Sequence, residues 1–396
     1  MAAFVVFCAF LVAAIGVARL APNRWLKAVW VAAPFVIAVL LIVYERRASI
    51  YLQAPISVDE AQFLADAIKV ASGRWVWLLD FDTGTVGFVI PYSLVPIVMA
   101  LPDAPYVGAR IFAVVCAAIW ASGAFLALRT TLPRSASLVL ASPLLLIAAF
   151  PGSGDLLTFS SELLPLALAT GGFGLALNAA SRERGVWVTG LAFFALGLVP
   201  FAKLQVAPIA FLYAVIAVTL GGGVVAMWRD RRRLYVAVAA GLLPLLVVLL
   251  GVLVSTQFRL RVQDTIAFTQ SYTAGGDSWQ VTLRFFFRGA AFYDLALASI
   301  ACAVLGFVLL VVSRRVREHL GRRALSMVAI VAPLGLISMA LPGRGFPHYV
   351  WVGAVPALFG VLALCGVVLS LQPHLRQRAV LVVVGAIVLV DRKSVV

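Results

Sequence analysis

The chain alternates long apolar runs with polar connections, and this alternation predicts membrane helices. A bilayer span takes about 20 mostly apolar residues, and charged side chains gather in the connections between runs of about that length. The sequence therefore predicts an all-α, polytopic transmembrane helix bundle. Its roughly twelve membrane helices are expected near residues 2–20, 28–44, 107–128, 135–151, 163–180, 186–200, 207–228, 234–254, 294–313, 324–342, 350–371 and from 379 to the end.

The composition agrees with a membrane protein and excludes several soluble classes. The 396 residues are 63% hydrophobic and 12% charged, whereas a soluble domain is about half apolar and about a quarter charged. A soluble enzyme, a disordered chain and a coiled coil are therefore excluded. The four cysteines lie in apolar runs without a CxxC pair, so the sequence indicates neither a disulfide framework nor a zinc site.

Charge is divided unequally between alternate connections. One set carries 18 basic and three acidic residues, and the other carries 11 basic and 12 acidic residues. By the positive-inside rule the first set faces the cytoplasm and the second faces outward. The net charge of +15 is thus a topology signal, with attraction to anionic lipid headgroups as a second contribution. We expect no nucleic-acid partner.

The two ends of the sequence carry separate signals. No positive charge precedes the first apolar run and Arg19 follows it, which favours an N-out membrane helix over a secretory signal. Residues 391–396 interrupt an apolar run and resemble a translated sequencing adapter. We therefore expect a transmembrane domain over 1–390, a non-native tail over 391–396 and a longer natural chain.

The first long outward segment, about 45–106, holds an acidic pair at a predicted helix start. Asp59 and Glu60 precede apolar residues that recur at helical spacing up to Ser72, which predicts an amphipathic helix on the outer membrane surface. Because Ser57 and Glu60 also form the Ser-x-x-Glu pattern of a capping box, helix capping is one interpretation. The other is that Asp59 removes a proton from an acceptor hydroxyl.

The same segment continues with a polar turn and a short apolar stretch. Asp80 and Asp82 lie in the turn, which also contains glycines. The stretch 88–101 is short for a span, and counting it as a crossing would invert every later loop against the charge rule. We predict that it is a surface-lying or re-entrant helix, which is tolerated where it packs on protein.

The second outward loop places two more acids, Asp155 and Glu162, at the predicted membrane edge. Ser160 or Ser161 precedes the next helix and is expected to cap it, in a loop whose glycines and serines are typical of a turn. The sequence leaves two interpretations open: the loop is purely structural, or Asp155 in it has a catalytic role.

Cations follow in the third and fourth outward loops. Lys203 lies with Gln205 in a short turn between two apolar runs; it either snorkels to the interface or binds phosphate as a point charge. Arg259 and Arg261 begin the other long outward loop. Interfacial cations commonly anchor a chain, but these would also suit a phosphate headgroup that enters from the lipid.

The last outward loop contains Arg344, His348 and Tyr349. An isolated histidine is usually paired with backbone, whereas an arginine and a tyrosine nearby favour a functional role here. Acids, candidate phosphate ligands and this histidine thus all fall on the predicted outer side, which indicates chemistry at the outer surface. Since no ATP or nucleotide sugar is present outside a bacterial cytoplasm, a transferase there needs a donor carried in the membrane. No P-loop, HExxH or GxSxG motif offers a competing chemistry.

At these residues the chain resembles the polytopic glycosyltransferases of the GT-C fold, most closely family 39 and its bacterial relatives, which include protein mannosyltransferases and lipid A aminoarabinose transferases. The resemblance covers nearly the whole chain. It is carried by Asp59-Glu60-Ala-Gln, Thr83-Gly-Thr-Val-Gly87, Ala109-Arg110, Ser160-Ser161-Glu162, Pro200-Phe-Ala-Lys203-Leu-Gln205 and Gly345-Phe-Pro-His348-Tyr349.

The resemblance implies inverting transfer of a sugar from a polyprenyl-phosphate donor to a hydroxyl of a glycan, lipid or protein, at the outer face of a bacterial inner membrane. It implies Asp59 as the general base, with Glu60 supporting it or its acceptor, and Asp155 is a further candidate catalytic carboxylate from its place in the second outward loop. Because a lipid phosphate leaves, cations are expected to stabilise it. The candidates for binding it are Lys203, Arg344, His348, Tyr349, Arg259 and Arg261, with Asp80, Asp82, Glu162 and Gln205 as acceptor or loop support.

Not every such enzyme requires a metal, and Asp59, Glu60 and Asp155 are the candidate ligands of a divalent Mg or Mn ion. Two other functions remain open. A transporter or flippase of lipid-linked saccharides would carry ionisable residues at mid-membrane, and a catalytically inactive scaffold would share the fold without transfer.

Overall fold

Helices account for every regular element in the part of the chain that the structure describes. The structure, a computed structural model, describes residues 23–73, 88–148, 158–181, 185–220, 231–276, 281, 290–343 and 346–372. The predicted all-α fold is confirmed. The helices are α1 (Arg24–Ile50), α2 (Val58–Ala71), α3 (Val89–Ala100), α4 (Pro105–Leu128), α5 (Arg134–Leu146), α6 (Leu163–Ser181), α7 (Val186–Ala202), α8 (Ala207–Leu220), α9 (Arg231–Val254), α10 (Thr256–Ala274), α11 (Ala290–Val312), α12 (Arg314–Glu318), α13 (Leu320–Ala340) and α14 (Val350–Leu371).

Hydropathy predicted most of these helix ends to within a few residues. The run expected at 350–371 forms α14 over those residues, and the run expected at 107–128 forms α4. Six described helices are long and apolar enough to span a membrane, namely α4, α6, α9, α11, α13 and α14. The chain is therefore a multi-pass membrane protein, while the number of about twelve spans stays a prediction. The first and last predicted helices and the tail 391–396 lie outside the described residues.

The centre of the bundle is built from α4, α6, α13 and α14, whose side chains are mostly buried. Helices α4 and α6 approach so closely that a β-carbon built on Gly123 would lie 2.2 Å from the carbonyl oxygen of Thr170. Small residues at membrane helix contacts permit this approach. Helices α9 and α11 lie at the periphery with most of their apolar surface exposed, as expected of helices that face lipid.

The connections gather at two opposite ends of the bundle. At one end Gln205 Nε2 donates to the carbonyl oxygen of Ser338, 2.7 Å away, where α8 begins and α13 ends. At the other end Arg322 Nε donates to Ser370 Oγ at 2.8 Å, where α13 begins and α14 ends. The second end carries arginine-rich connections predicted to face the cytoplasm, and the first carries connections predicted to face outward.

The first long outward segment contains the two short helices that the sequence predicts. Helix α2 buries Phe63, Leu64 and Ala67, which are part of its predicted apolar face, and it packs on α3 and α4. Helix α3 has 12 residues, which is too short for a span of about 20. Together they place the start of α2, and with it Asp59, against the end of the bundle.

Candidate functional site at one end of the bundle

A buried ion pair fixes the start of α2 to the bundle. Arg110 Nε donates to Glu60 Oε1 at 3.0 Å, and Arg110 Nη2 donates to Glu60 Oε2 at 2.6 Å. Both side chains are 0% exposed. Two parallel hydrogen bonds are the geometry in which a guanidinium holds a carboxylate most specifically. Removing one partner would leave a charge buried without compensation.

The remaining donors of Arg110 hold the chain that leads from α1 to α2. Arg110 Nη1 donates to the carbonyl oxygens of Ser49 and of Leu52, the latter at 2.6 Å, and Arg110 Nη2 donates to that of Ala54 at 2.7 Å. Glu60 Oε1 also accepts from the backbone N–H of Phe159, 3.2 Å away. The buried Arg110–Glu60 pair therefore ties the first and second outward connections to the start of α4: Arg110 holds the first, and Glu60 holds the second.

The capping interpretation of this region is wrong. The side chain of Ser57 makes no capping hydrogen bond at the start of α2, and Glu60 turns to Arg110 instead of its own helix. At the next predicted cap, Ser160 Oγ is buried without a hydrogen-bond partner among the described residues, and Ser161 Oγ donates to Glu162 Oε1 at 3.0 Å. The fixed positions of both acids thus come from tertiary contacts.

A second ion pair lies beside the first. Lys203 Nζ pairs with Glu162 Oε1 and donates to Ser161 Oγ. The Glu162 side chain is 0% exposed, whereas that of Lys203 is 18% exposed. Because an ammonium carries three donors, these two contacts leave one N–H of Lys203 for a ligand oxygen. Lys203 is thus a partly accessible cation in a fixed position.

His348 connects the second ion pair to Asp59. Its Nε2 lies 3.7 Å from Asp59 Oδ2 and 3.9 Å from Glu162 Oε1. The structure therefore brings together side chains that the sequence predicts in four separate outward loops. We call Asp59, Glu162, Lys203 and His348 the charged cluster.

Aromatic rings support the cationic side of the charged cluster. Lys203 Nζ lies 4.7 Å from the centroid of the Tyr349 ring, within the distance of a cation–π contact. The His348 ring stands edge to face against Tyr349, with the centroids 4.9 Å apart, and stacks parallel to the exposed ring of Phe346, with the centroids 5.5 Å apart. These contacts fix both rings of the last outward loop.

The electrostatics favour an ionised Glu162. Burial, the largest influence, disfavours its charged form, but the charges of Lys203 and His348 and the hydrogen bonds from Lys203 and Ser161 outweigh it. Together they hold the pKa of Glu162 below its ordinary value. The Glu162–Lys203 pair is therefore charged near neutral pH, and Glu162 is unsuited to accept a proton from substrate there.

Asp59 differs from the two other carboxylates in this region. Glu60 and Glu162 are fully buried in ion pairs with Arg110 and Lys203. The side chain of Asp59 is 38% exposed. A general base must reach the proton that it removes, so Asp59 is the carboxylate that a bound acceptor could contact.

Several predicted site residues are not brought to the charged cluster by any described contact. Arg259 and Arg261 lie on α10, which packs against α9, and their role as phosphate ligands stays a prediction. Asp80, Asp82, Asp155 and Arg344 lie outside the described residues. Gln205 lies two positions after Lys203 and donates to the carbonyl oxygen of Ser338 on α13, and its role as acceptor or loop support stays a prediction.

Of the three candidate metal ligands, Asp155 lies outside the described residues, and Glu60 already has another partner. Both carboxylate oxygens of Glu60 accept hydrogen bonds from Arg110, so Glu60 is committed to an ion pair. Within the described ranges, no group of three or more histidine, cysteine or acidic side chains is arranged to hold a metal ion. We derive no step through a metal.

Sequence reasoning did not assign Arg110 and Ser161 to the site, although both belong to motifs that carry the family resemblance. The signal for Arg110 was present: it is an arginine inside a predicted membrane helix, and such a residue usually has a specific partner. For Ser161 the sequence predicted a capping role and gave no indication of its contact with Lys203. Only the tertiary structure identifies these partners.

The fold is similar to that of the oligosaccharyltransferase of Archaeoglobus fulgidus. The apo crystal structure of that protein aligns with a TM-score of 0.52 and 14% identity, over 92% of this chain and 56% of that chain. The archaeal oligosaccharyltransferase AglB of A. fulgidus, in complex with an inhibitory peptide and a dolichol-phosphate, aligns with a TM-score of 0.52 and 15% identity, over 94% of this chain and 56% of that chain.

The chain thus spans little more than half the length of these solved structures. No protein-family model matches the chain, and no curated protein matches it. At this level of identity the likeness concerns the fold, and it supports the GT-C architecture predicted from the sequence. Membership of family 39 stays a prediction.

Proposed function

We propose that this protein is an inverting membrane glycosyltransferase that moves a sugar from a polyprenyl-phosphate donor to an acceptor hydroxyl. The observation that carries the proposal is the accessibility of Asp59 beside His348, in a cluster whose other carboxylate, Glu162, is buried and paired. In this role Asp59 is the general base. We place the reaction at the outer face of a bacterial inner membrane, in keeping with the charge of the connections.

The proposed reaction is a single displacement. Asp59 takes the proton of the acceptor hydroxyl while the hydroxyl oxygen forms a bond to the anomeric carbon. The bond between that carbon and the phosphate oxygen breaks, and its electron pair leaves with the lipid phosphate. Because one displacement occurs at the anomeric carbon, its configuration inverts.

Lys203 and His348 are the proposed ligands of the leaving phosphate, with Arg344, Tyr349, Arg259 and Arg261 as further candidates. Lys203 keeps a donor beyond its contacts with Glu162 and Ser161, and fixed cations stabilise charge that develops on a leaving group. The ion pair between Glu60 and Arg110 acts indirectly: it holds the backbone next to Asp59, so both are positioning residues.

Two observations support a lipid-linked donor. AglB, which shares the fold, has been solved with a dolichol-phosphate. In this chain the contact between Gln205 and Ser338 joins α8 to α13, and the apolar side chains just before them, Leu204 and Ile337, are exposed. We propose that the lipid part of the donor lies along this exposed apolar rim, with its phosphate towards Lys203.

A transporter or flippase is favoured less by the geometry. Transport across a bilayer usually uses ionisable groups at mid-membrane. The fully buried charged side chains Glu60, Arg110 and Glu162 lie together at one end of the bundle, next to the exposed carboxylate of Asp59. A charged site at one membrane boundary is suited to sugar transfer at that boundary and not to transport across the bilayer.

The test replaces Asp59 with asparagine, which keeps the shape of the side chain and removes the base. Asp103→Asn is the matched control, because Asp103 is exposed in the turn between α3 and α4. Purified protein is given polyprenyl phosphate that carries mannose, glucose or aminoarabinose, together with a glycan, lipid or peptide acceptor. The readouts are polyprenyl phosphate release and labelled product.

Loss of a general base is expected to lower turnover of Asp59→Asn by about 100-fold or more, while Asp103→Asn keeps wild-type turnover. Wild-type turnover in Asp59→Asn would contradict the base assignment. If the wild-type protein moves the labelled lipid across the bilayer of a vesicle and releases no polyprenyl phosphate, the proposed transfer is wrong and the transporter is favoured.

A further inference from the structure

A short arginine-rich element lies at the end of the bundle away from the charged cluster. Residues 314–323, which we call the basic elbow, contain five arginines and a single acid, Glu318. The elbow comprises α12 and the start of α13 and joins two helices, α11 and α13, that are long and apolar enough to span a membrane. It therefore lies at a membrane boundary.

The basic elbow is a folded element. Val316 is fully buried beneath it, and Ser313 caps α12 by accepting a hydrogen bond from the backbone N–H of Val316 at 3.3 Å. Arg322 donates to Ser370 Oγ at 2.8 Å and to the carbonyl oxygen of Arg315 at 3.3 Å. Arg322 thus fastens the elbow to the end of α14 and fixes its shape.

Of the other four arginines of the basic elbow, one has its charge neutralised by an acidic side chain and three do not. Arg314 Nε pairs with Glu318 Oε1 at 2.6 Å, which uses the one acid of the basic elbow. Arg315, Arg317 and Arg323 are exposed. Because no other acid lies in the elbow, their positive charge faces outward from a fixed backbone.

A neighbouring turn adds to this positive surface. A β-carbon built on Gly321 would lie 2.6 Å from Thr130 Oγ1, so the elbow contacts the turn between α4 and α5. That turn leads to Arg134, which is exposed. Apolar surface lies alongside, since Val312 and Leu320, just before and within the elbow, are exposed.

We infer that the basic elbow binds the phosphate headgroup of an anionic phospholipid. Arg315 and Arg323 contact the phosphate, while Val312 and Leu320 contact the acyl chains. Guanidinium groups bind phosphate well because their donors match its oxygens, and basic side chains at the cytoplasmic surface attract anionic lipid. Free phosphate has the same headgroup chemistry, but it cannot use the adjacent apolar surface. The inference does not depend on the proposed transfer activity.

The test measures lipid bound to the purified full chain in detergent, by native mass spectrometry after addition of phosphatidylglycerol. The variant is Arg315→Gln/Arg323→Gln. The matched control is Arg231→Gln/Arg232→Gln, which removes the same charge from exposed arginines at the start of α9, on the same predicted membrane face. Phosphatidylcholine and inorganic phosphate are the comparison ligands.

We expect phosphatidylglycerol affinity to fall by about 30-fold in Arg315→Gln/Arg323→Gln, because two direct guanidinium–phosphate contacts are lost, and to fall much less in the control, which loses only the general attraction of surface charge. Binding of phosphatidylcholine with equal affinity, or an equal loss in the control, would overturn the inference. Displacement of the lipid by equimolar inorganic phosphate would show a phosphate site without lipid recognition, which also overturns it.

Discussion

Glu60 and Arg110 are separated by 50 positions in the sequence, and their side chains meet through two hydrogen bonds of 3.0 and 2.6 Å with neither exposed to solvent. The pair joins the start of α2 to the start of α4. Since Asp59 precedes Glu60 directly, its position relative to His348 depends on a contact that does not involve Asp59 itself.

Replacing Arg110 with methionine is expected to destabilise the protein by about 3–5 kcal/mol, because it leaves the Glu60 carboxylate buried without a partner. The measurement is the loss of folded protein on heating in detergent. Arg231→Met, at an exposed position, is the control and should unfold like the wild type.

The double variant Glu60→Met/Arg110→Met should recover part of this stability, because no buried charge remains unpaired. Recovery is incomplete, since the carbonyl oxygens of Ser49, Leu52 and Ala54 lose their donor. A double variant as unstable as the sum of the two single variants would mean that the pair contributes no coupling energy.

The Glu162–Lys203 pair makes stability depend on pH in a defined direction. The pKa of Glu162 is lowered in the folded protein, so ionised Glu162 contributes stability at pH values above its ordinary pKa. This contribution is lost as pH falls from about 4.5 through the lowered pKa of the folded state. Thermal unfolding of the wild type should therefore lose this contribution only below about pH 4.5.

In Lys203→Met the largest attraction that keeps Glu162 charged is removed, while burial continues to favour the neutral form. The loss of stability should begin at a higher pH than in the wild type. Thermal unfolding between pH 3.5 and 7 compares the two profiles, with Arg231→Met, at an exposed position at the start of α9, as the control. Superimposable profiles for Lys203→Met and wild type would contradict a paired Glu162.

Gly123 is expected to tolerate no side chain. A β-carbon there would lie 2.2 Å from the Thr170 carbonyl oxygen and 2.7 Å from the Gly171 α-carbon, and backbone atoms cannot move aside without separating α4 from α6. Gly123→Ala should cost roughly 1–3 kcal/mol. At Gly241 the nearest atom would lie 3.6 Å away, so Gly241→Ala, also in a membrane helix, should be near neutral. Equal heat stability of the two variants would refute the close contact.

The predicted sidedness can be measured with single cysteines. Val58 precedes Asp59 and is 72% exposed, and Arg314 in the basic elbow has a side chain that is 84% exposed. In intact spheroplasts, a membrane-impermeant maleimide should label Val58→Cys, and it should label Arg314→Cys only after lysis. The parent protein is the control for labelling of the native cysteines. Labelling of both positions before lysis would exclude the proposed topology.

Hydropathy determined the type and approximate ends of the apolar helices among the described residues, whereas the polar helix α10 formed in a segment that was predicted only as an outward loop. The run at 350–371 became α14 and the run at 163–180 became α6, because an apolar stretch in a bilayer must satisfy its own backbone hydrogen bonds and therefore forms a helix. The alternation of charge also indicated which connections share an end, and the structure places Asp59 and His348 together accordingly.

The partners of individual side chains were decided only by the tertiary structure. The local pattern at Ser57 and Glu60 predicted a cap, yet Glu60 bonds to Arg110, and Ser161 bonds to Lys203 instead of capping α6. Capping depends on residues three positions apart, which a sequence displays directly. A contact between helices depends on their relative rotation and axial shift, which are set by packing such as the close approach at Gly123, and periodicity within one helix carries no information about either.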